Sequence, residues 1–116
     1  MTEISSDVIR GYSDPIILYL LLESDSYGYE ISKSIIEKSE EKYTMKETTL
    51  YSTFTRLQKN GYIESYYGDE TQGRRRTYYR ITNLGRTYYQ EKCEEWKLTK
   101  QVVNNFMKEI DENGNY

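Results

Sequence analysis

The stretch "PIILYLLL", Pro15 to Leu22, constrains this chain more than any other. From Ile16 onward it is almost continuously apolar, so a helix built from it has no polar face and must be buried on all sides. It is too short to cross a bilayer and reads as a core helix. A chain of 116 residues buries a limited fraction of its own surface, so full cover calls for a second copy as well as the rest of the domain. Pro15 interrupts the periodic segment 6–22, and either kinks it or opens a new helical section.

The rest of the chain is poor in such material. Hydrophobic residues make up 36%, and 14 tyrosines must help fill the core with amphipathic rings. One cysteine, Cys93, excludes an intramolecular disulfide, and no basic segment precedes an apolar run at the N-terminus. The expectation is a cytoplasmic protein with no membrane association. With no histidine there is no Ser-His-Asp triad, no Cys–His pair and no imidazole metal site. No paired carboxylate has an apolar setting, and no Gly-rich phosphate cradle occurs. Neither an enzyme nor a cofactor or metal is expected.

Periodicity organises what remains. Residues 27–38 form a second helix, with Tyr27, Ile31 and Ile35 every four positions and Ser26 as its N-cap. Residues 47–59 form a third, with Leu50, Phe54 and Leu57 on one face and Asn60-Gly61 as its stop. Thr44 with Glu47 allows a capping box, and Met45 allows a staple to Leu50 if Lys46 is the cap; both arrangements stay open. "YIESYY" and "TYYRI" read as strands of a hairpin with a long Gly-containing tip. A last helix begins near Thr82 and runs to about 112. Its Tyr89, Cys93, Trp96, Val103, Met107 and Ile110 follow heptad spacing, with Lys100 the polar exception. Such a seam pairs with another copy. The fold class is mainly α with a small β-hairpin: a winged helix-turn-helix over 1–82 and a dimerisation helix over 83–116.

Charge adds a function. Net charge is −3, yet 42–86 carries nine bases against four acids, while 1–41 carries nine acids against three bases. The basic middle includes Arg74, Arg75 and Arg76 in a row, a mutually repulsive run that an anionic partner would relieve. In a winged helix the third helix enters the major groove and the wing reaches phosphates. Lys46, Thr49, Ser52, Thr53, Arg56 and Lys59 make the outer face of that helix basic and hydroxyl-rich. Lys46, Thr48, Thr49, Tyr51, Ser52, Arg56, Arg74, Arg75 and Arg76 are the candidate DNA-binding residues. Tyr51 stands between two roles, a phosphate contact or packing beneath the helix. Tyr78 and Tyr79 read as cross-strand packing.

"TLYSTFTRLQKNGYI" (49–63) and "RRRTYYRITNLG" (74–85) resemble the paired signatures of the PadR family of bacterial transcriptional regulators. The single last helix, "GDETQG" in the wing and Trp96 midway along that helix are similar to its short subfamily, particularly the LmrR-type multidrug-sensing repressors. The resemblance implies a homodimer that binds double-stranded operator DNA with inverted-repeat symmetry and is modulated by a small molecule. It also implies a pore between the two tryptophans for a planar aromatic ligand, lined by Asp14, Pro15, Leu18, Tyr89, Cys93, Trp96 and Lys100. Lys92 and Lys100 favour neutral or anionic ligands there. Tyr89, Trp96, Val103, Phe106, Met107 and Ile110 are the candidate dimerisation residues. The rival reading is a winged-helix module that binds protein and not DNA, which the acidic flanks would suit.

Overall fold

The computed structural model describes residues 3–71 and 74–115, apart from the side chains of 69–71 and 74. The first segment is broken as its proline demands. Helix α1 (Ser6–Ile9) is followed by a 3-10 turn (Arg10–Tyr12) and then by α2 (Ser13–Glu23). Pro15 falls in the first turn of α2, where its missing N–H costs nothing. Ile17, Leu18, Leu20 and Leu21 are buried, while Tyr19 remains exposed and Ile16 and Leu22 are half-buried. One edge of the apolar helix is therefore open in the single chain.

Helix α3 (Gly28–Lys38) differs from expectation at its start. Ser26 is not its cap; Tyr27 holds that position and makes no side-chain bond to the helix. Ser26 instead pairs with the hairpin. Its N–H donates to the Tyr79 carbonyl at 3.2 Å, and the Tyr79 N–H donates back at 2.7 Å. This short bridge competes successfully with capping because it satisfies two backbone groups at once.

Helix α4 (Glu47–Lys59) has the bounds its periodicity predicts. Lys46 is the cap without a side-chain bond, and Met45 and Leu50, at the staple positions, are both buried in the core. The helix ends in a Schellman motif. The Tyr62 N–H donates to Leu57 O at 2.9 Å and the Gly61 N–H to Gln58 O at 3.0 Å, with Gly61 at φ 79°.

Strands β1 (Ile63–Thr71) and β2 (Arg74–Ile81) form an antiparallel hairpin longer than the sequence suggested. The expected long tip is mostly ladder, with a register shift between Tyr67 and Glu70 and with Glu70 opposite Arg75. Gly68 lies inside β1, where a Cβ would collide with the Tyr78 ring, so close approach and not a turn calls for glycine there. Helix α5 (Asn83–Val103) is capped by Thr82, whose Oγ1 accepts from the Gly85 N–H at 3.0 Å. Gly85 is fixed by close approach, since a Cβ would strike the Tyr62 carbonyl.

The last helix ends at Val103, well short of 112. Asn104 and Asn105 are poor helix formers, and Asp111 Oδ1 then collects the N–H groups of Asn113 and Asn115 at 2.9 and 2.8 Å. Phe106, Met107 and Ile110 therefore do not continue the helical seam, and all three are exposed.

The core gathers Ile17, Leu18 and Leu21 of α2, Ile31 and Ile35 of α3, and Leu50, Phe54 and Leu57 of α4. Ile63 and Ile81 close it from the hairpin base. Helix α5 packs on α2 through Tyr88 and Tyr89, then projects, which stretches the molecule to 59 × 30 × 22 Å. Three helices with an antiparallel wing make a winged helix-turn-helix, and α5 is its appendage.

Candidate nucleic-acid interface and apolar cleft

Successive α4 residues turn by about 100°, which sorts its polar side chains into a ridge and two shoulders. Thr48, Ser52, Thr55 and Lys59 form the exposed ridge, opposite the buried Leu50, Phe54 and Leu57. Thr55 was missed in the sequence, although helical projection would have found it. Thr53 was expected outside but is only 1% exposed, its hydroxyl donating to Thr49 O at 2.7 Å. Thr49 itself is half-buried, and Lys46 is exposed at the helix start.

The shoulders are occupied. Arg56 lies toward α2 and pairs with Asp14, so it is not on the ridge. Tyr51 lies toward the wing and packs as one of the two roles considered for it requires. Its ring meets Phe54 edge-on at 5.6 Å, its hydroxyl rests against Gly28, and about half of the residue stays exposed.

The wing arginines open β2: Arg74 and Arg75, expected near the tip, pair with Thr71 and Glu70 at the far end of the ladder, and Arg76, expected to approach the strand, lies within it. The Arg75 guanidinium lies over the Tyr67 ring at 5.7 Å, and that of Arg76 over Tyr27 at 4.0 Å. Tyr27 also meets Tyr78 edge-on at 5.3 Å, and Tyr78 stacks with Tyr66 at 5.7 Å. Arg76 thus ties the wing to the start of α3. Below it the Tyr66 hydroxyl donates to Asp25 at 2.6 Å, which together with burial raises its pKa. The Arg74 side chain lies outside the described residues.

A cleft of about 970 Å³ opens between the N-terminal segment, α2 and α5, with Tyr12, Pro15, Tyr19, Tyr89, Cys93 and Trp96 among its walls. Trp96 is 46% exposed and meets Tyr12 edge-on at 5.4 Å. Burial, then a hydrogen bond with Cys93, pushes the Tyr89 phenol up to about 12. Lys92 also lines the cleft, pairing with Glu95 at 3.2 Å. The expected lining is only partly assembled. Leu18 is wholly buried in the core, because its position on α2 points away from the open edge. Asp14 is drawn off the cleft by Arg56 and Tyr88, and Lys100 does not line it but places its ammonium over the Trp96 ring at 5.7 Å.

Asp14 joins three helices. One carboxylate oxygen accepts from Arg56 of α4 and the other from the Tyr88 hydroxyl of α5 at 2.9 Å. The Tyr88 ring in turn stacks on Tyr62 at 4.0 Å and 5°. Burial first, then the bond to Asp14, raises the Tyr88 pKa and keeps that proton in place. Nothing in the sequence signals this pairing across 74 positions.

Among the described residues no cluster of three His, Cys, Asp or Glu could hold a metal, and no helix is long and apolar enough to cross a membrane. The structure is similar to that of a transcriptional regulator from Clostridium thermocellum, with 69% identity and a TM-score of 0.84, covering 89% of this chain and 100% of that one. A PadR family transcription regulator from Clostridium difficile is 38% identical with a TM-score of 0.71, over 83% of this chain and 98% of its own. An uncharacterized protein from Lysinibacillus sphaericus is 47% identical over 108 residues, which are 93% of this chain and 99% of that one. The family model described as "Transcriptional regulator PadR-like family" matches residues 17–91. With its winged helix-turn-helix in place, the chain belongs to the PadR-like family of transcriptional regulators, DNA-binding proteins and not enzymes.

Proposed function

We propose that this regulator is a cytoplasmic homodimeric repressor whose grip on DNA responds to a planar aromatic molecule. Residues 1–82 form the DNA-binding unit and 83–116 the dimerisation segment. The α4 ridge enters the major groove, with Lys46, Thr48, Ser52, Thr55 and Lys59 toward the bases and phosphates. Arg74 and Arg75 reach flanking phosphates from the wing, while Arg76 holds the wing's angle.

The observation that carries the reading is the open apolar side of α5. Tyr89, Cys93, Trp96 and Val103 share one helical stripe, and the first three border the cleft. A second copy laid on this stripe would cover the exposed Val103 and bring two Trp96 rings to one axis. A flat aromatic ring fits between them, and Lys92 and Lys100 favour a neutral or anionic one. Sequencing the DNA fragments that the purified protein retains tests the reading. Enrichment of an inverted repeat supports it, and recovery of random sequence counts against it.

A further inference from the structure

The proposed response requires a physical route from the α2/α5 cleft to the reading helix, and beside the shared apolar core a polar one runs through Asp14 and Tyr88. The cleft residues Pro15 and Tyr89 are chain neighbours of Asp14 and Tyr88, and the cleft residue Lys92 holds its ammonium over the Tyr88 ring at 5.5 Å. From there two contacts lead to α4. The Tyr88 hydroxyl reaches Arg56 through the shared Asp14 carboxylate. The Tyr88 ring lies flat on Tyr62, the residue that closes the α4 Schellman motif.

We propose that Asp14 and Tyr88 form the joint that couples the cleft to the DNA-reading helix. This deepens the ligand-responsive reading and rests on it. The Asp14 side chain is only 15% exposed, so Arg56 neutralises, and the Tyr88 hydroxyl hydrogen-bonds, a carboxylate with little access to water. A shift of α5 over α2 cannot leave both donors in place. If Tyr88 withdraws, Asp14 keeps Arg56 alone, and the stack that braces the end of α4 slides with it. Helix α4 then has two arrangements, one braced by α5 and one not, and either site can bias the choice. Asp14 and Tyr88 are positioning residues; neither needs to touch DNA or ligand.

Trp96 reports on this joint without any added ligand, because it borders the cleft and is the one tryptophan in the chain. Labelled DNA selected by the protein itself is added to the full-length chain, with anisotropy following DNA binding and Trp96 emission following the cleft. In the wild type, emission should change saturably along the same curve as anisotropy. In Tyr88→Phe, which keeps the ring and its stack, DNA should still bind but the emission change should be lost. Asp14→Asn should lose it too, and circular dichroism verifies that both variants are folded. A wild-type emission that ignores bound DNA overturns the joint, as does an undiminished response in folded Tyr88→Phe. Absence of the anisotropy change itself would instead strike the DNA-binding reading, so the two failures are told apart.

Discussion

The ring of Tyr79 lies 4.0 Å from that of Phe54 and only 16° from parallel with it. A strand of the wing is thereby stacked directly on the reading helix, and the backbone of the same tyrosine holds Ser26 on the opposite flank. Phe54→Ala removes this stack and leaves a cavity in the centre of the core. It should cost about 3–5 kcal/mol of stability, read from urea unfolding. Tyr51→Ala, at the exposed end of the same aromatic group, should cost markedly less.

The division of α4 into ridge and shoulder separates two kinds of DNA variant. Lys59→Ala and Arg75→Ala should weaken binding to all sequences, and each should flatten the salt dependence by about one unit if it meets one phosphate. Ser52→Ala and Thr55→Ala should alter preference among sequences more than salt dependence. Fluorescence anisotropy over a salt series distinguishes these outcomes. Equal salt slopes for wild type and Arg75→Ala would remove the wing from the interface.

Dimerisation has its own test at Val103, the last residue of α5. Val103→Asp places a charge in the proposed seam and should weaken the dimer by several kcal/mol. Ultracentrifugation at micromolar concentration should then show the wild type as a dimer and the variant dissociating. Phe106→Ala should have a smaller effect, since that side chain lies beyond the helix.

Alkaline pH should unfold the protein cooperatively. Tyr43, Tyr79, Tyr88 and Tyr89 all have phenol pKa values raised above the ordinary 10, with burial the first cause for each. A raised folded pKa means that the native state holds the proton more tightly. The stability this confers is complete below pH 10 and is lost as pH climbs toward the folded value, about 12 for Tyr89. Tyrosinate absorbance should therefore lag behind that of free tyrosine and then rise together with loss of helical circular dichroism. Tyr88→Phe should unfold at higher pH than wild type.

Where local pattern and tertiary demand agree, the chain was legible. Helix α4 combines an apolar period with Asn60-Gly61, and both ends fall where the sequence puts them. Disagreement arose where one residue type serves two purposes. Gly68 looks like a loop glycine, yet it makes room for the Tyr78 ring inside a strand. Met107 and Ile110 keep heptad spacing with Val103, but the asparagines between them end the helix. Ser26 looks like a cap and serves as a strand partner. The cleft was legible only through Pro15, Tyr89, Cys93 and Trp96. The engagement of Asp14 by Arg56 and Tyr88 depends on how α2, α4 and α5 meet, which no one-dimensional pattern records.

The central claim is that the open face of α5 forms a shared aromatic site in a dimer, and Trp96 measures it most directly. The protein is titrated with 8-anilinonaphthalene-1-sulfonate, an anionic probe with a flat naphthalene ring, while Trp96 emission is followed. The account predicts saturable quenching that ends at about one probe per two chains, because a site on the two-fold axis is shared by both copies. Trp96→Ala should weaken probe binding by about 1–3 kcal/mol, read from the probe's own fluorescence, and leave DNA affinity nearly unchanged. Trp96 emission that stays constant across the titration, or quenching that never saturates, would contradict it.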